Sequence, residues 1–94
     1  MPTARWNGRV IAEAETTVIV EGNHYFPPES LDRSLVRESA TRTTCYWKGE
    51  AAYLDVVVDG EVLTDGAWVY PSPKDTAAEI RDHVAFWKGV VVQA

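Results

Sequence analysis

The sequence has little cysteine and histidine and no long apolar run. Its single cysteine, Cys45, has no partner for an intramolecular disulfide and cannot form a zinc site that needs two or more cysteines. The two histidines, His24 and His83, lie too far apart for a short metal-binding motif, so no metal site is predicted. No segment approaches the roughly 20 apolar residues of a membrane span. The N-terminus also lacks the apolar run of a signal peptide, so we expect a cytoplasmic protein.

Basic charge is also scarce. Nine lysines and arginines stand against 14 aspartates and glutamates, which gives a formal net charge of −5. Proteins that bind a nucleic-acid backbone need a basic face, so this balance argues against nucleic acid as the main partner. Phosphate-binding loops of the GxxxxGK[ST] and GxGxxG types are absent, as is the GxSxG motif of hydrolases. No motif therefore identifies a cofactor or a reaction.

The composition that remains is that of one globular domain. The 94 residues are 46% hydrophobic and 24% charged, which predicts a single domain over residues 1–94. A chain of this length buries roughly 60–65% of its unfolded surface, enough for one modest core. Small cores are often supplemented by oligomerisation, so a homo-oligomer is one expectation.

Short strands dominate the predicted secondary structure. Asp59-Gly60 and Asp65-Gly66 each predict a turn between strands, because hairpin turns of two residues need positive φ angles. Residues 29–37 are predicted as a short helical turn followed by extended chain. The first two apolar runs are expected to pair as one hairpin. The predicted strands fall within residues 9–13, 17–21, 41–47, 52–58, 61–63, 67–70 and 90–92.

One helix is predicted near residues 74–86. Ser72 and Pro73 form a typical helix start, and Ala77, Ile80, Val84 and Trp87 share one face at helical spacing, which predicts that Ile80 and Val84 are buried against the sheet. About eight short strands and one helix predict a mainly-β domain, built as a small barrel or a two-sheet sandwich.

Cys45 and Lys48 are the candidate catalytic residues. A nearby cation favours the thiolate, which is the nucleophilic form of cysteine. On a regular strand the two side chains would point to opposite faces, so they meet only if the chain turns at Lys48-Gly49. The alternative is a packed cysteine that acts as a small hydrophobe beside a surface lysine.

Aromatic residues are the second candidate feature. Trp68 and Tyr70 share one face of their predicted strand, and Tyr25 and Phe26 form a second group beside Pro27. Paired aromatic surfaces of this kind suit a flat ligand. Tyrosine and tryptophan also bury most of their area in ordinary cores, so a structural role is the alternative.

Four blocks of the chain follow one another in a specific order and spacing. They are Tyr25-Phe26-Pro27, Thr44 to Gly49 with Tyr53, Ala67 to Pro73, and Ile80 with Val84 to Trp87. From about Gly8 to Val92 the chain thereby resembles the bacterial family called domain of unknown function 427, sometimes labelled nucleotidyltransferase-like. The resemblance implies a small mainly-β fold akin to the tent-like β domains, and no established reaction. The family pattern reads Cys-Pro-aromatic-Lys-Gly, and Tyr46 stands here at the proline position.

These observations lead to one leading hypothesis and two alternatives. The leading hypothesis is a small-molecule-binding domain in which an aromatic pocket and Lys48 hold a small anionic or aromatic ligand. The first alternative is a small transferase, nucleotidyltransferase-like, that uses Cys45 or Lys48 as its reactive group. The second is a protein-interaction module that self-associates through an edge strand or an aromatic patch. The predicted ligand-binding residues are Tyr25, Lys48, Tyr53, Trp68 and Tyr70.

Overall fold

The computed structural model describes all 94 residues and contains nine strands. The strands are β1 (Thr3–Trp6), β2 (Arg9–Glu13), β3 (Val18–Val20), β4 (Asn23–Tyr25), β5 (Val36–Cys45), β6 (Gly49–Val58), β7 (Glu61–Val69), β8 (Val84–Phe86) and β9 (Val91–Gln93). They form a three-stranded sheet in the order β2-β1-β9, the β3-β4 hairpin, and a four-stranded sheet in the order β5-β6-β7-β8. The prediction of a mainly-β domain is confirmed, and the sheets stay open rather than closing into a barrel.

The four-stranded sheet carries a separate core on each face, because side chains alternate along its strands. The first face packs against the three-stranded sheet, and we call its 12 buried residues the first core. The second face packs against the β3-β4 hairpin and a short 3₁₀ segment, Asp75–Ile80. Its buried residues, the second core, are Tyr25, Ala51, Tyr70, Ala77, Ile80 and Ala85.

Turns of two residues with positive φ join three pairs of strands. Asp59-Gly60 connects β6 to β7 with φ angles of 51° and 79°, which confirms the predicted turn. Asn7-Gly8 and Glu21-Gly22 form equivalent turns within β1-β2 and β3-β4. The predicted hairpin of residues 9–13 with 17–21 is wrong, because each of these strands pairs with the neighbour that lies across its own glycine turn.

The second Asp-Gly pair lies inside a strand rather than at a turn. β7 continues through Asp65, whose φ is 54°, at the point where the pairing of β6 with β7 shifts register. The Asp65 carboxylate accepts hydrogen bonds from the hydroxyls of Ser39 at 2.5 Å and Thr41 at 2.8 Å. Asp65 therefore has the positive φ of a turn residue but Gly66 does not, and side chains of β5 hold the pair as a bulge.

The helix predicted near residues 74–86 is shorter than expected. It is limited to the 3₁₀ segment, and the following residues form β8. Ile80 and Val84 are buried as predicted, at 0% and 1% exposure, but Ile80 belongs to the second core and Val84 to the first. Residues 29–37 contain two short 3₁₀ turns and the start of β5, as predicted. No helix in the structure has the length and apolar character that crossing a membrane requires.

Candidate functional site

The predicted ligand-binding residues lie in or beside the second core. Tyr25, Lys48 and Tyr70 are buried, with exposures of 0%, 7% and 5%. Tyr53 and Trp68 are half-buried and pack against the same core from the open part of the second face. The structure thus brings together residues that come from four separate segments of the chain.

A row of aromatic rings crosses the second face. The Tyr25 ring centroid lies 6.5 Å from that of Tyr70 and 6.2 Å from that of Trp68, and the Trp68 indole donates a hydrogen bond of 3.1 Å to the Tyr25 hydroxyl. Trp87 continues the row, with centroid distances of 5.6 Å to Trp68 and 6.3 Å to Tyr53. We call these five residues the aromatic row. Its outer end is open to solvent, since Trp87 is 44% exposed.

Trp87 was not among the predicted site residues. Its spacing from Val84 placed it on the expected helix face, where it would have belonged to the core. In the structure it follows β8, and alternation places it on the same face as Ala85 and opposite Phe86. A strand prediction for residues 84–87 would have identified it.

The loop that carries Lys48 is fixed by hydrogen bonds at three successive carbonyls. Lys74 Nζ donates to the Tyr46 carbonyl at 2.6 Å, Thr76 Oγ1 to the Trp47 carbonyl at 2.8 Å, and the Lys74 amide to the Lys48 carbonyl at 2.9 Å. Tyr46, at the family's proline position, is 86% exposed, so only its backbone takes part. This bracing holds Lys48 against the second core.

Gly49, directly after this loop, is favoured by its backbone conformation. Its φ is +114°, and an added Cβ would lie 3.4 Å from the Ser72 carbonyl oxygen. The close approach of these two backbone segments lets residues 72–76 reach the loop carbonyls.

The Lys48 ammonium lies between two rings and one carboxylate. Its Nζ is 5.4 Å from the Trp47 ring centroid and 5.4 Å from that of Tyr70, and it forms an ion pair with Glu21. Burial by itself lowers the pKa of Lys48, but the hydrogen bond to Glu21 and the nearby tyrosines outweigh it, so the pKa is raised. Lys48 is therefore an ammonium at neutral pH, suited to holding an anion rather than to acting as a nucleophilic amine.

Glu21 was not predicted as a site residue, and it is the anionic partner of Lys48. It stands at the tip of the β3-β4 hairpin with a φ of 54°, a conformation that costs free energy in any residue with a Cβ. Its side chain is 51% exposed, whereas that of Lys48 is 8% exposed. The hydrogen bond from Lys48 lowers the pKa of Glu21. The pair therefore joins a fixed, buried cation to an anion at the solvent boundary.

Cys45 ends β5, is half-buried, and packs against the second core as a free thiol. The chain turns at residues 46–48, which is the condition for Cys45 and Lys48 to lie on one side of the sheet. Tyr70 lies near both of them. A catalytic role for Cys45 stays a prediction.

The larger cavity of the structure lies on the opposite face. It has a volume of about 380 Å³, and Tyr53 is the one predicted ligand-binding residue that lines it. A second cavity of about 330 Å³ is lined by residues near both ends of the segment 13–30, none of them predicted. Lys48 lines neither cavity, and its ammonium is paired with Glu21.

The family of this chain follows from comparison with known proteins. The family described as domain of unknown function (DUF427) matches residues 3–94, so the chain belongs to it. A comparison with curated proteins finds no match. Family membership confirms the resemblance seen in the sequence and assigns no reaction.

Proposed function

We propose that this domain binds a small molecule that carries a carboxylate, with Lys48 contacting the carboxylate and the accessible part of the aromatic row, Tyr53, Trp68 and Trp87, contacting the rest. The observation that carries the proposal is the environment of Lys48. A buried ammonium is held between two rings by a braced loop, and its anionic partner is the half-exposed side chain of a hairpin tip.

The position of Glu21 indicates the chemistry of the ligand. A buried ammonium must stay paired, because an uncompensated buried charge is strongly destabilising. A molecule that displaces Glu21 must therefore supply an anion of its own. The carboxylate of Glu21 is singly charged and planar, and it fits this position, so a carboxylate is favoured over a doubly charged phosphate.

The aromatic row favours a flat or apolar body on that carboxylate. Tyr25 and Tyr70 lie in the second core beside Lys48, and Trp68 and Tyr53 extend the surface toward the exposed Trp87. Ring faces of this kind contact flat ligands well. A transferase that uses the Lys48 amine is disfavoured, because that amine is protonated.

The proposal is tested by titrating the full chain with benzoate and with inorganic phosphate, following backbone amides by NMR. We expect benzoate to shift amides around Lys48 and Tyr70. Glu21→Gln removes the internal competitor and should tighten benzoate binding about tenfold, since one displaced charged contact is worth about one decade in affinity. Lys48→Met should abolish the shifts.

Lys88→Met is the matched control, because Lys88 also lies over a tryptophan, 5.2 Å from the Trp87 centroid, but is exposed. It should bind benzoate as the unmodified chain does. The proposal fails if benzoate binds neither the unmodified chain nor the Glu21→Gln variant, or if phosphate binds in preference to benzoate. An equal loss of benzoate binding in Lys48→Met and Lys88→Met would also contradict the proposal.

A further inference from the structure

The cavity on the first face of the four-stranded sheet has the features of a second binding site. Its volume of about 380 Å³ falls within the roughly 300–1,000 Å³ range of small-molecule sites. Leu54 and Val69, which pack against the first core, place it on the first face, and Glu38, Ser39 and Arg42 of β5 line it. Its floor is apolar and its rim is charged. The floor and sides are formed by Ala52, Leu54, Val69, Pro28 and Pro71.

A bulge in β5 shapes one side of this cavity. Glu38 pairs with Leu54 and Arg42 pairs with Ala52, so residues 39–41 lie opposite a single residue of β6. Bulges re-aim side chains and are frequent beside functional sites. The hydroxyls within this bulge are bound to Asp65, whereas Glu38 and Arg42 line the cavity.

The arginine at the bulge is held in place by its own strand. Arg42 Nη1 donates hydrogen bonds of 2.9 Å to the carbonyls of both Ser39 and Thr41. Fixing one side of the guanidinium reduces the conformational entropy lost when the remaining N–H groups bind a ligand. Arg42 is therefore a pre-organised cation at the rim.

Arg33 and Asp82 also line the cavity. Asp82 has a φ of 60°, a left-handed conformation that is uncommon outside glycine. Its amide donates a hydrogen bond of 3.2 Å to the Tyr70 carbonyl, so the strained position is fixed by the sheet. Strain of this kind collects at functional sites.

The charges around the cavity are not paired with each other. The ion pairs of the structure are Arg37 with Asp55 and Lys48 with Glu21, and neither pair lines the cavity. The cavity is therefore lined by positive and negative side chains that form no ion pair with one another, among them Arg33, Glu38 and Asp82. A ligand that bridges them must carry both a cation and an anion.

We infer that this cavity binds a zwitterionic molecule of the amino-acid class with an apolar side chain. The carboxylate meets Arg33 and Arg42, the ammonium meets Glu38 and Asp82, and the side chain lies on the apolar floor. Two guanidinium groups and two carboxylates leave the rim neutral overall, which suits a ligand without net charge. This site differs from the proposed Lys48 site, which has one cation and lies on the other face; Tyr53 is the one residue that belongs to both.

The test is an NMR titration of the full chain with L-phenylalanine. Phenylpropionate lacks the ammonium and phenethylamine lacks the carboxylate, so the three probes separate the two charge contacts. We expect L-phenylalanine to shift the amides of Ala52, Leu54 and Val69. The two single-charge probes should bind at this site at least about tenfold more weakly, because each loses a charged hydrogen bond.

Three variants complete the test. Arg33→Gln and Asp82→Asn should each weaken L-phenylalanine binding about tenfold, and asparagine tolerates the left-handed backbone at position 82. Ala52→Leu should block binding by filling the floor without lowering the melting temperature. Arg5→Gln is the matched control, since Arg5 is an exposed arginine on β1, and it should bind normally.

Three results would overturn the inference. One is the absence of shifts at the floor residues with millimolar L-phenylalanine. Another is phenylpropionate binding at the floor as tightly as L-phenylalanine. The third is a loss of L-phenylalanine binding in Arg5→Gln equal to that in Arg33→Gln. Shifts confined to amides around Lys48 would support the proposed function while contradicting this second site.

Discussion

The two faces of the four-stranded sheet are buried in different ways. The first core has 12 buried residues, all aliphatic or phenylalanine, and contains no titratable group. The second core has six buried residues, includes two tyrosines, and lies against a buried ammonium. Burial of apolar area is the main source of stability, so the first face contributes more to folding. The second face combines its smaller core with charges and ring systems that suit recognition.

Adjacent residues of one segment illustrate the difference. Tyr25 and Phe26 are both fully buried, but they belong to the second and the first core respectively. Phe26 contacts Phe86 edge-to-face with a centroid distance of 5.6 Å. Tyr25 instead has a hydroxyl that accepts a hydrogen bond from Trp68. The chain therefore supplies an apolar contact to one face and a polar one to the other.

The largest expected effect is on the first core. Phe26→Ala should lower the free energy of unfolding by about 3–5 kcal/mol, because it removes a large ring and leaves a cavity. Urea unfolding followed by far-UV circular dichroism measures this change. A loss below about 1 kcal/mol would contradict the assignment of the first core as the main source of stability.

Truncation in the second core should cost less. Ile80→Ala should lower the free energy of unfolding by about 2–4 kcal/mol, since Ile80 is 0% exposed but smaller than phenylalanine. The same urea experiment applies. A change below about 0.5 kcal/mol, which is typical of a surface site, would remove the 3₁₀ segment from the core.

Removal of one polar atom should have a still smaller effect. Tyr25→Phe deletes the hydroxyl that accepts the Trp68 hydrogen bond and should cost about 1 kcal/mol. It should also weaken benzoate binding if the aromatic row positions the ligand. Urea unfolding and benzoate titration of the same variant test these two expectations. If neither the free energy of unfolding nor the benzoate affinity changes, the Tyr25 hydroxyl contributes to neither.

The pH dependence of stability should arise on the second face, at the β7 bulge and at Asp32, whose pKa is lowered by hydrogen bonds from Ser34. The pKa values of Glu21 and Asp65 are lowered by hydrogen bonds from Lys48 and from the bulge hydroxyls, so their contribution is lost as pH falls below their ordinary values of 4.5 and 3.8. Burial raises the pKa of Tyr70 above its ordinary 10.0, and that of Lys48 is raised as well, so stability also falls as pH rises above about 10.

Melting temperatures across this pH range provide the check. We expect a plateau between about pH 5 and 9, with losses on both sides. Glu21→Gln should reduce the fall in melting temperature at acidic pH, because it removes one of the carboxylates that cause it. A melting temperature that rises below pH 4 would contradict the account.

The local parts of the fold could be predicted from the sequence. The Asp59-Gly60 turn, the long strand before it and the burial of Ile80 and Val84 follow from turn chemistry and periodicity over a few residues. The predicted hairpin of residues 9–21 was wrong, because Asn7-Gly8 is an equally strong turn signal and gives β2 a nearer partner. Strand partners are chosen by contacts that short-range patterns do not contain.

The candidate site could be predicted only in part, for the same reason. Lys48, Tyr25 and Trp68 were identified as residue types suited to a ligand. Glu21 was not, because it approaches Lys48 only after the β3-β4 hairpin packs on the second face. The only feature of the sequence that marks Glu21 is the glycine that follows it in the turn. The cavity on the first face had no signal, since Asp82 and the apolar lining residues come from segments distant in sequence from Arg33, Glu38 and Arg42.

The ligand-induced melting shift of Lys48→Met tests the central claim most directly, because one measurement reports both folding and binding. Methionine replaces the buried ammonium with an apolar chain and Glu21 stays hydrated at the solvent boundary, so no buried charge is left unpaired and the free energy of unfolding should fall by no more than about 1 kcal/mol. We expect the variant to melt cooperatively near the unmodified chain and to lose the rise in melting temperature that benzoate gives. A Lys48→Met chain that fails to fold, or one that keeps the benzoate shift, would contradict the claim that Lys48 serves binding rather than stability.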